Sequence, residues 1–181
     1  NPPSKSVYNP ADVDSYNDKT SMTVFDSLGN QHKLDIYFVK TDNNKWDVHP
    51  IDSTTGTVSP VTSLNFTTSG SIIGNSDIPI NIGSLNGSAA GQTMTLSLQN
   101  SIQQNNGTKS TFGNPSQNGY AVGEMTSYQI NDDGIITGNY SNGKTQPLGQ
   151  IVLSNFSNVK GLKPEGNNVW SATSTSGQEL V

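Results

Sequence analysis

Apolar residues in this chain are gathered into short alternating runs, each closed by turn residues, and that period of two predicts strands. Thr20 to Phe25 alternates, Ser27-Leu28-Gly29-Asn30 reads as a turn, and Lys33 to Lys40 resumes the pattern. In the second run Leu34, Ile36 and Phe38 share one face while Asp35, Tyr37 and Val39 share the other. Asp42-Asn43-Asn44 then turns the chain into Lys45 to Val48, where Trp46 and Val48 share a face. Together these runs predict a three-stranded antiparallel meander. A looser stretch from Asp52 to Pro60 precedes Val61 to Phe66, whose inward residues are Leu64 and Phe66, and Ser69-Gly70 closes that strand. Ile72-Ile73 and then Ile78, Ile80 and Ile82 predict two short strands, with Pro79 marking an edge or irregular pairing. Thr93 to Leu98 alternates Met94, Leu96 and Leu98. Leu98 and Ile102 are also helix-spaced, but a local run of Gln and Asn in a chain with only three glutamates argues against a helix.

The densest hairpin signals fall between Asn118 and Gly177. Met125 to Ile130 alternates, Asp133-Gly134 supplies the dipeptide of a tight type I′ turn, and Ile135 to Tyr140 returns as the partner strand. Asn142-Gly143 repeats the device. Leu148 to Phe156 reads as one further strand, and Gly161 and Gly166 punctuate a loop leading to Val169-Trp170. At the other end, residues 1–19 carry Pro2, Pro3 and Pro10 among Ser, Asn and Asp, which predicts an extended lead-in. Residues 99–117 are polar and rich in Gly and Asn, with only Ile102 and Phe112 to anchor them, so the domain boundary is expected there. The expected division is a β domain over 1–117 and a small antiparallel, hairpin-rich module over 118–181. A module of that size is marginal with a single core and no staples. Its unpaired edges therefore predict docking onto the first domain or completion by chain absent from this sequence.

Composition sharpens this all-β reading. Hydrophobic residues make up 30% of the chain, and Ser, Thr and Asn together about a third, which raises the question of disorder. The ordered alternation answers it, since a half-solvated antiparallel sheet needs few hydrophobes. The formal charge is −5, and all nine basic residues are lysine. Without arginine the chain lacks the preferred fork for phosphate and guanine, which argues against nucleic acid as a partner. It has no cysteine, so disulfides, thiolate metal sites and cysteine nucleophiles are excluded. No apolar run approaches the roughly 20 residues of a membrane-spanning helix, so no membrane insertion is expected. The sequence begins at Asn1 rather than methionine, and is expected to be an excised or processed piece.

Candidate chemistry is sparse. His32 and His49 fall in separate strands with no second histidine or cysteine at ligand spacing, and are expected to be surface or interstrand residues. Asp12, Asp14 and Asp18 resemble part of a calcium loop but lack its sixth-position glycine and twelfth-position glutamate. Asp132 and Asp133, with Glu124, could be imagined as a carboxylate pair for glycoside hydrolysis. Adjacent strand residues point to opposite faces, however, and Asp-Gly at a turn already has a backbone explanation. Asn-x-Ser/Thr triplets at Asn65, Asn86, Asn106, Asn139 and Asn155 are what chance gives in this composition. Tyr8, Tyr16, Tyr120 and Tyr128 could form a carbohydrate or partner platform, but are expected half-buried with wet hydroxyls. No catalytic, cofactor-binding or metal-ligating residue is assigned, no cofactor is expected, and the chain is read as no enzyme. An extracellular carbohydrate-binding or adhesive β domain stays as an alternative.

Two segments resemble the bacterial flagellar hook protein. The first, TVFDSLGNQHKLDIYFVKTDNNKWDV from Thr23 to Val48, is similar to that family's entry into its outer domain. In the second, NGY, INDDG, GNYSNG, LGQIVLSNF, GL, GNNVW and SG fall in the family's order and spacing. The closing pattern of Gly161-Leu162, Gly166-Asn167, Trp170 and Ser176-Gly177 is shared more widely with axial flagellar proteins, which keeps a rod or hook-like axial protein as the nearer alternative. The resemblance implies an outer β-barrel or sandwich over 1–117 and the returning half of an inner β domain over 118–181. It further implies self-assembly of the full-length protein into a curved extracellular tube that transmits motor torque to the filament. Implied neighbours are identical subunits and other axial proteins (rod, hook cap and hook-filament junction), with export through the flagellar channel. This piece, lacking the terminal helices, is expected to be monomeric.

Overall fold

The computed structural model describes residues 4–5, 7–104 and 110–180. Nearly all regular structure is strand, as the alternation predicts, and the chain divides into two compact units, Asn1–Val122 and Gly123–Val181.

In the first unit β1 (Asp18–Phe25), β2 (Gln31–Asp42) and β3 (Lys45–Asp52) form the expected antiparallel meander. β4 (Thr57–Val58) folds back onto the end of β3, so the stretch expected to be loose is partly paired. β5 (Thr62–Phe66) then pairs with the other end of β3, and β6 (Ile72–Ile73) with β5, giving the order β1-β2-β3-β5-β6 in a sheet that curls into a half-barrel. A separate hairpin, β7 (Asp77–Ile82) with β8 (Gln92–Ser97), faces it. Pro79 is tolerated because β7 has a ladder on one side only.

The core lies between these two sheets, on one parity of every strand. It holds Val24 of β1, Leu34 and Ile36 of β2, Trp46 and Val48 of β3, Leu64 of β5, and Ile78, Ile80 and Ile82 of β7. The opposite face of β2 is covered as well: Asp35, Tyr37 and Val39 are buried. Residues 7–17 lie over that face without forming a strand, Tyr8 and Tyr16 both packing on Tyr37.

Residues 110–117 and 99–104 are attached to the rest of the first unit by both apolar and polar contacts. Ile102 is exposed and makes a single bridge to Ser71, while Phe112 tilts against Phe38. Gln103 does most of the holding. Its Oε1 accepts from Trp46 Nε1 at 2.8 Å, its Nε2 donates to Asn44 Oδ1 at 2.6 Å, and its N–H donates to Gly70 O at 2.7 Å.

In the second unit β9 (Met125–Ile130), β10 (Ile135–Tyr140) and β11 (Thr145–Gln150) form a three-stranded sheet in the order β11-β10-β9. The expected long strand from Leu148 to Phe156 is broken. β11 ends at Gln150, and β12 (Asn155–Phe156) pairs elsewhere, with β15 (Glu179–Leu180). The break follows a register shift between Ile136 and Thr137, opposite Leu148. β13 (Lys163–Gly166) and β14 (Val169–Ser171) make a hairpin where a loop was expected. Its turn residues Asn167 and Asn168 both have positive φ, 49° and 61°, as a type I′ turn requires.

The turn at Asp133-Gly134 is of another kind than expected. Only Gly134 has positive φ, 78°. Asn131 N–H donates to Ile135 O and Gly134 N–H to Asn131 O, each at 2.9 Å, which is a type I turn closed by a left-handed glycine. Three residues separate Asn131 from Ile135, and that loop length selects this geometry over the two-residue type I′. The same bonding recurs at Asp26–Asn30, Thr67–Ser71 and Tyr140–Lys144, closed by Gly29, Gly70 and Gly143.

Candidate functional site

Three features stand out: a sealed charge cluster, an aromatic group on the outer face of the first unit, and an uncovered apolar face in the second.

His32, expected to be a surface or interstrand residue, is fully buried. Its Nδ1 lies 2.8 Å from Asp52 Oδ2 and its Nε2 3.3 Å from Asp26 Oδ2, with no part of the three side chains exposed. The alternation itself carries the signal for this burial. His32 shares parity with Leu34 and Ile36, Asp52 with Trp46 and Val48, and Asp26 with Val24, so all three point to the core side. Each carboxylate is saturated. Asp26 accepts from the N–H groups of Leu28 and Asn30 and from Asn30 Nδ2. Asp52 accepts from Thr54 N–H, Thr55 Oγ1 and Gly83 N–H. Burial pushes both acids up, but the donors outweigh it: Asn30, Ser88 and His32 hold Asp26 well below the usual carboxylate range, and Thr55, Gly83, His32 and Thr54 lower Asp52. The cluster ties the Asp26–Asn30 turn, the end of β3 and the start of the loop after β7 into one block. Sealed from solvent, it offers no surface to a substrate. Among the described residues no group of three or more His, Cys, Asp or Glu side chains could hold a metal ion.

The aromatic group is built on β2 and β3. Tyr8 stacks on His49 with ring centroids 3.9 Å apart and planes 24° apart, and tilts against Tyr37 at 5.5 Å. Tyr16 meets Tyr37 edge-on at 4.9 Å, and Lys19 Nζ sits 4.8 Å from the Tyr37 centroid and 3.1 Å from Asp35 Oδ2. Contrary to the expected wet hydroxyl, Tyr8 Oη is buried with no hydrogen-bond partner among the described residues. Tyr120 and Tyr128 do not join this group. Tyr120 lies in the strandless stretch before the second unit, and Tyr128 is exposed on β9.

The second unit buries only Gly138 and Ser176 among its described residues, and no apolar side chain. Register explains why this matters. Ile136 pairs with Ile130 and Gly138 with Tyr128, while Leu148 packs over Gly138, so Tyr128, Ile130, Ile136 and Leu148 share one face. Ser127, Gln129, Thr137 and Asn139 share the other. The sheet is thus amphipathic, and its apolar face lacks a cover: Tyr128 is 65%, Ile130 53% and Leu148 48% exposed. The Gly161 and Ser176-Gly177 motifs close a local lock in the same unit. Thr173 Oγ1 donates to Gly161 O at 2.6 Å, and a side chain at Gly161 would come within 2.6 Å of the Thr175 backbone.

The other candidates scatter. Asp12 Oδ1 caps Asp14 N–H at 2.9 Å, and Asp18 accepts from Ser110, so the three acids do not converge. Asp133 Oδ1 accepts from Ile135 N–H at its own turn, Asp132 beside it is exposed, and Glu124 bonds backbone-to-backbone with Ser141. Asn65, Asn139 and Asn155 lie in strands, Asn86 has positive φ, and Asn106 lies outside the described residues.

Residues 2–120 match the profile of the flagellar basal body protein FlaE D2 domain. The flagellar hook protein FlgE of Salmonella typhimurium is 45% identical over 183 residues, an alignment covering 99% of this chain and 45% of that protein. That of Escherichia coli K12 is 47% identical over 182 residues, with coverage of 99% and 45%. The chain therefore spans less than half the length of these relatives. A solved structure of Helicobacter pylori flagellar hook protein FlgE2 superposes with a TM-score of 0.49 at 19% identity, covering 92% of this chain and 39% of that one. With two thirds of its length matched by one profile and nearly all of it aligned to hook proteins at this identity, the chain belongs to the flagellar hook protein family, residues 2–120 carrying the FlaE D2 domain.

Proposed function

We propose that this chain is the exposed part of a structural subunit of the bacterial flagellar hook, a curved homopolymeric tube that transmits motor torque to the filament outside the cell. In this reading residues 1–117 are an outer β domain, and 118–181 are the returning half of an inner β domain completed by further chain of the same subunit. The partners are identical subunits and neighbouring axial proteins, the subunit is exported through the flagellar channel, and the role is mechanical rather than catalytic.

One observation carries the reading: a first unit with its own sealed core is followed by an amphipathic sheet whose apolar face is bare. An amphipathic sheet of this size needs a cover to be stable, and the hook relatives are more than twice as long as this chain. A universal joint needs domains that hold their shape and seams that can be remade during each revolution. The surface of the first unit, rich in Ser, Thr, Asn and Gln, exchanges hydrogen bonds with water at little net cost. Electron microscopy of the full-length protein is the test. Curved tubes with wet outer-domain seams, alongside a monomeric 1–181 piece, are expected. Outer domains fused through a large dry apolar interface would overturn this account of bending.

A further inference from the structure

We infer that residues 7–17 form a releasable strap on the outer face of the first unit, gripped by two tyrosine rings and able to peel away under tension without opening the sheet beneath. Its mechanical use rests on the hook reading; its docking and release do not.

The strap lies on the wrong side of β2 to be part of the core. Leu34, Ile36 and Val48 face the β7–β8 hairpin, whereas Tyr37, beneath the strap, has the opposite parity. Lifting the strap therefore leaves the core closed. Among the described residues it breaks no strand ladder, because the backbone bonds between this region and the sheet fall at either end: Lys5 N–H to Lys40 O at 2.7 Å and Asn17 N–H to Phe38 O at 2.9 Å, the latter end reinforced by Lys40 N–H donating to Asn17 Oδ1 at 2.6 Å. From Asn9 to Ser15 the strap carries bonds of its own. Asp12 N–H donates to Asn9 O and Ser15 N–H to Asp12 O, each at 3.0 Å, while Ser15 Oγ donates to Asn9 O and Asp12 O and accepts from Asn9 N–H. That turn travels with the strap when it leaves.

Two rings grip the strap, Tyr16 edge-on against Tyr37 at 4.9 Å and Tyr8 on His49 and Tyr37, and the grip of Tyr8 is compromised. The ring gains burial and stacking against His49 and Tyr37, but its buried hydroxyl has no partner among the described residues, and an unmatched buried donor offsets much of that gain. After release Tyr37 keeps Lys19 over its ring, so the exposed face remains tolerable. Freed and extended, eleven residues reach about 35–40 Å. In a tube that bends as it turns, such a length reserve lets neighbouring parts of a subunit separate and return while the β domain stays folded.

Amide exchange on the 1–181 chain, with Tyr8→Phe and Tyr8→Ala variants, tests the strap without any hook assembly. The Lys5 and Asn17 amides are expected to exchange about 100-fold faster than those of Ile36 and Val48, through an opening insensitive to denaturant. Tyr8→Phe, which removes the orphan hydroxyl, is expected to slow Lys5 and Asn17 exchange about five-fold. Tyr8→Ala should speed both while leaving Ile36 and Val48 unchanged. The inference is overturned by strap and sheet exchanging together with one denaturant dependence, by Tyr8→Ala unfolding the sheet, by faster exchange in Tyr8→Phe, or by no ring contact between Tyr8 and His49 in the unaltered chain. Failure here leaves the hook reading standing, and failure of the full-length protein to form tubes leaves the strap standing.

Discussion

His32 Nδ1 lies 2.8 Å from Asp52 Oδ2, and neither side chain is exposed. With Asp26 on the other ring nitrogen, one imidazole separates two buried carboxylates. Removing it leaves both acids facing each other across a cavity, each short of a hydrogen-bond partner, and the lost partners and the cavity together cost about 3–5 kcal/mol. His32→Ala is expected to destabilise the first unit by that amount in urea unfolding followed at Trp46. His49→Ala, on the outer face, is expected to cost about 1 kcal/mol. Equal effects would mean that the cluster holds nothing together.

The parity of the main strands in the first unit was legible in the sequence because their central inward positions carry hydrophobes, Val24 on β1, Leu34 and Ile36 on β2, Trp46 and Val48 on β3, Leu64 on β5 and Ile78, Ile80 and Ile82 on β7. What hid His32, Asp26 and Asp52 was their residue type: burial of charge is unfavourable unless its partners are known, and those partners are 6 and 20 residues away. The β13–β14 hairpin escaped for a related reason. Its turn is Asn167-Asn168, without the glycine that usually marks a left-handed pair. Gln103 is a third case, since a lone Gln in a polar stretch gives no sign that a Trp donor 57 residues away will meet it.

Acid should weaken the first unit at an identifiable carboxylate. Burial pushes Asp35 up, but hydrogen bonds from Ser21, Ser53 and Lys19, with the Lys19 charge, outweigh it and hold Asp35 down to about 2 from its ordinary 3.8. The folded value lies below the unfolded one, so this contribution is complete above about pH 4 and is lost as pH falls toward 2. The stability gap between the unaltered chain and Asp35→Asn is expected to shrink by about 2 kcal/mol between pH 5 and pH 2. A gap constant across that range would show that Asp35 gains nothing from its neighbours.

Two left-handed glycines of the first unit should respond very differently to a methyl group. Gly74 has φ 81° with nothing within 4 Å of an added Cβ, so Gly74→Ala is expected to cost only the backbone term of about 1 kcal/mol. Gly70 has φ 90°, and its Cβ would sit 2.1 Å from Gln103 O. Adding a backbone clash to the same conformational term raises the expected cost of Gly70→Ala to about 3 kcal/mol. Because Gln103 must move, Trp46 should also lose its indole acceptor, which a shifted Nε1–H resonance would report.

Two strand isoleucines, Ile36 in the core of the first unit and Ile136 on the apolar face of β10, should respond differently to truncation. Ile36 is 1% exposed in the core of the first unit, and Ile36→Ala is expected to cost about 3–4 kcal/mol. Ile136 occupies the apolar face of β10, and among the described residues of the second unit no apolar side chain is buried. In the 1–181 chain its truncation removes few contacts and should cost less than about 1 kcal/mol. In the full-length protein, where the proposed completion of this sheet buries that face, the same substitution should approach the cost seen at Ile36. Urea unfolding of both variants in both lengths of chain makes the comparison. An Ile136→Ala penalty that is as large in the short chain as in the long one would show that the face is already covered and that no further chain is needed to complete it.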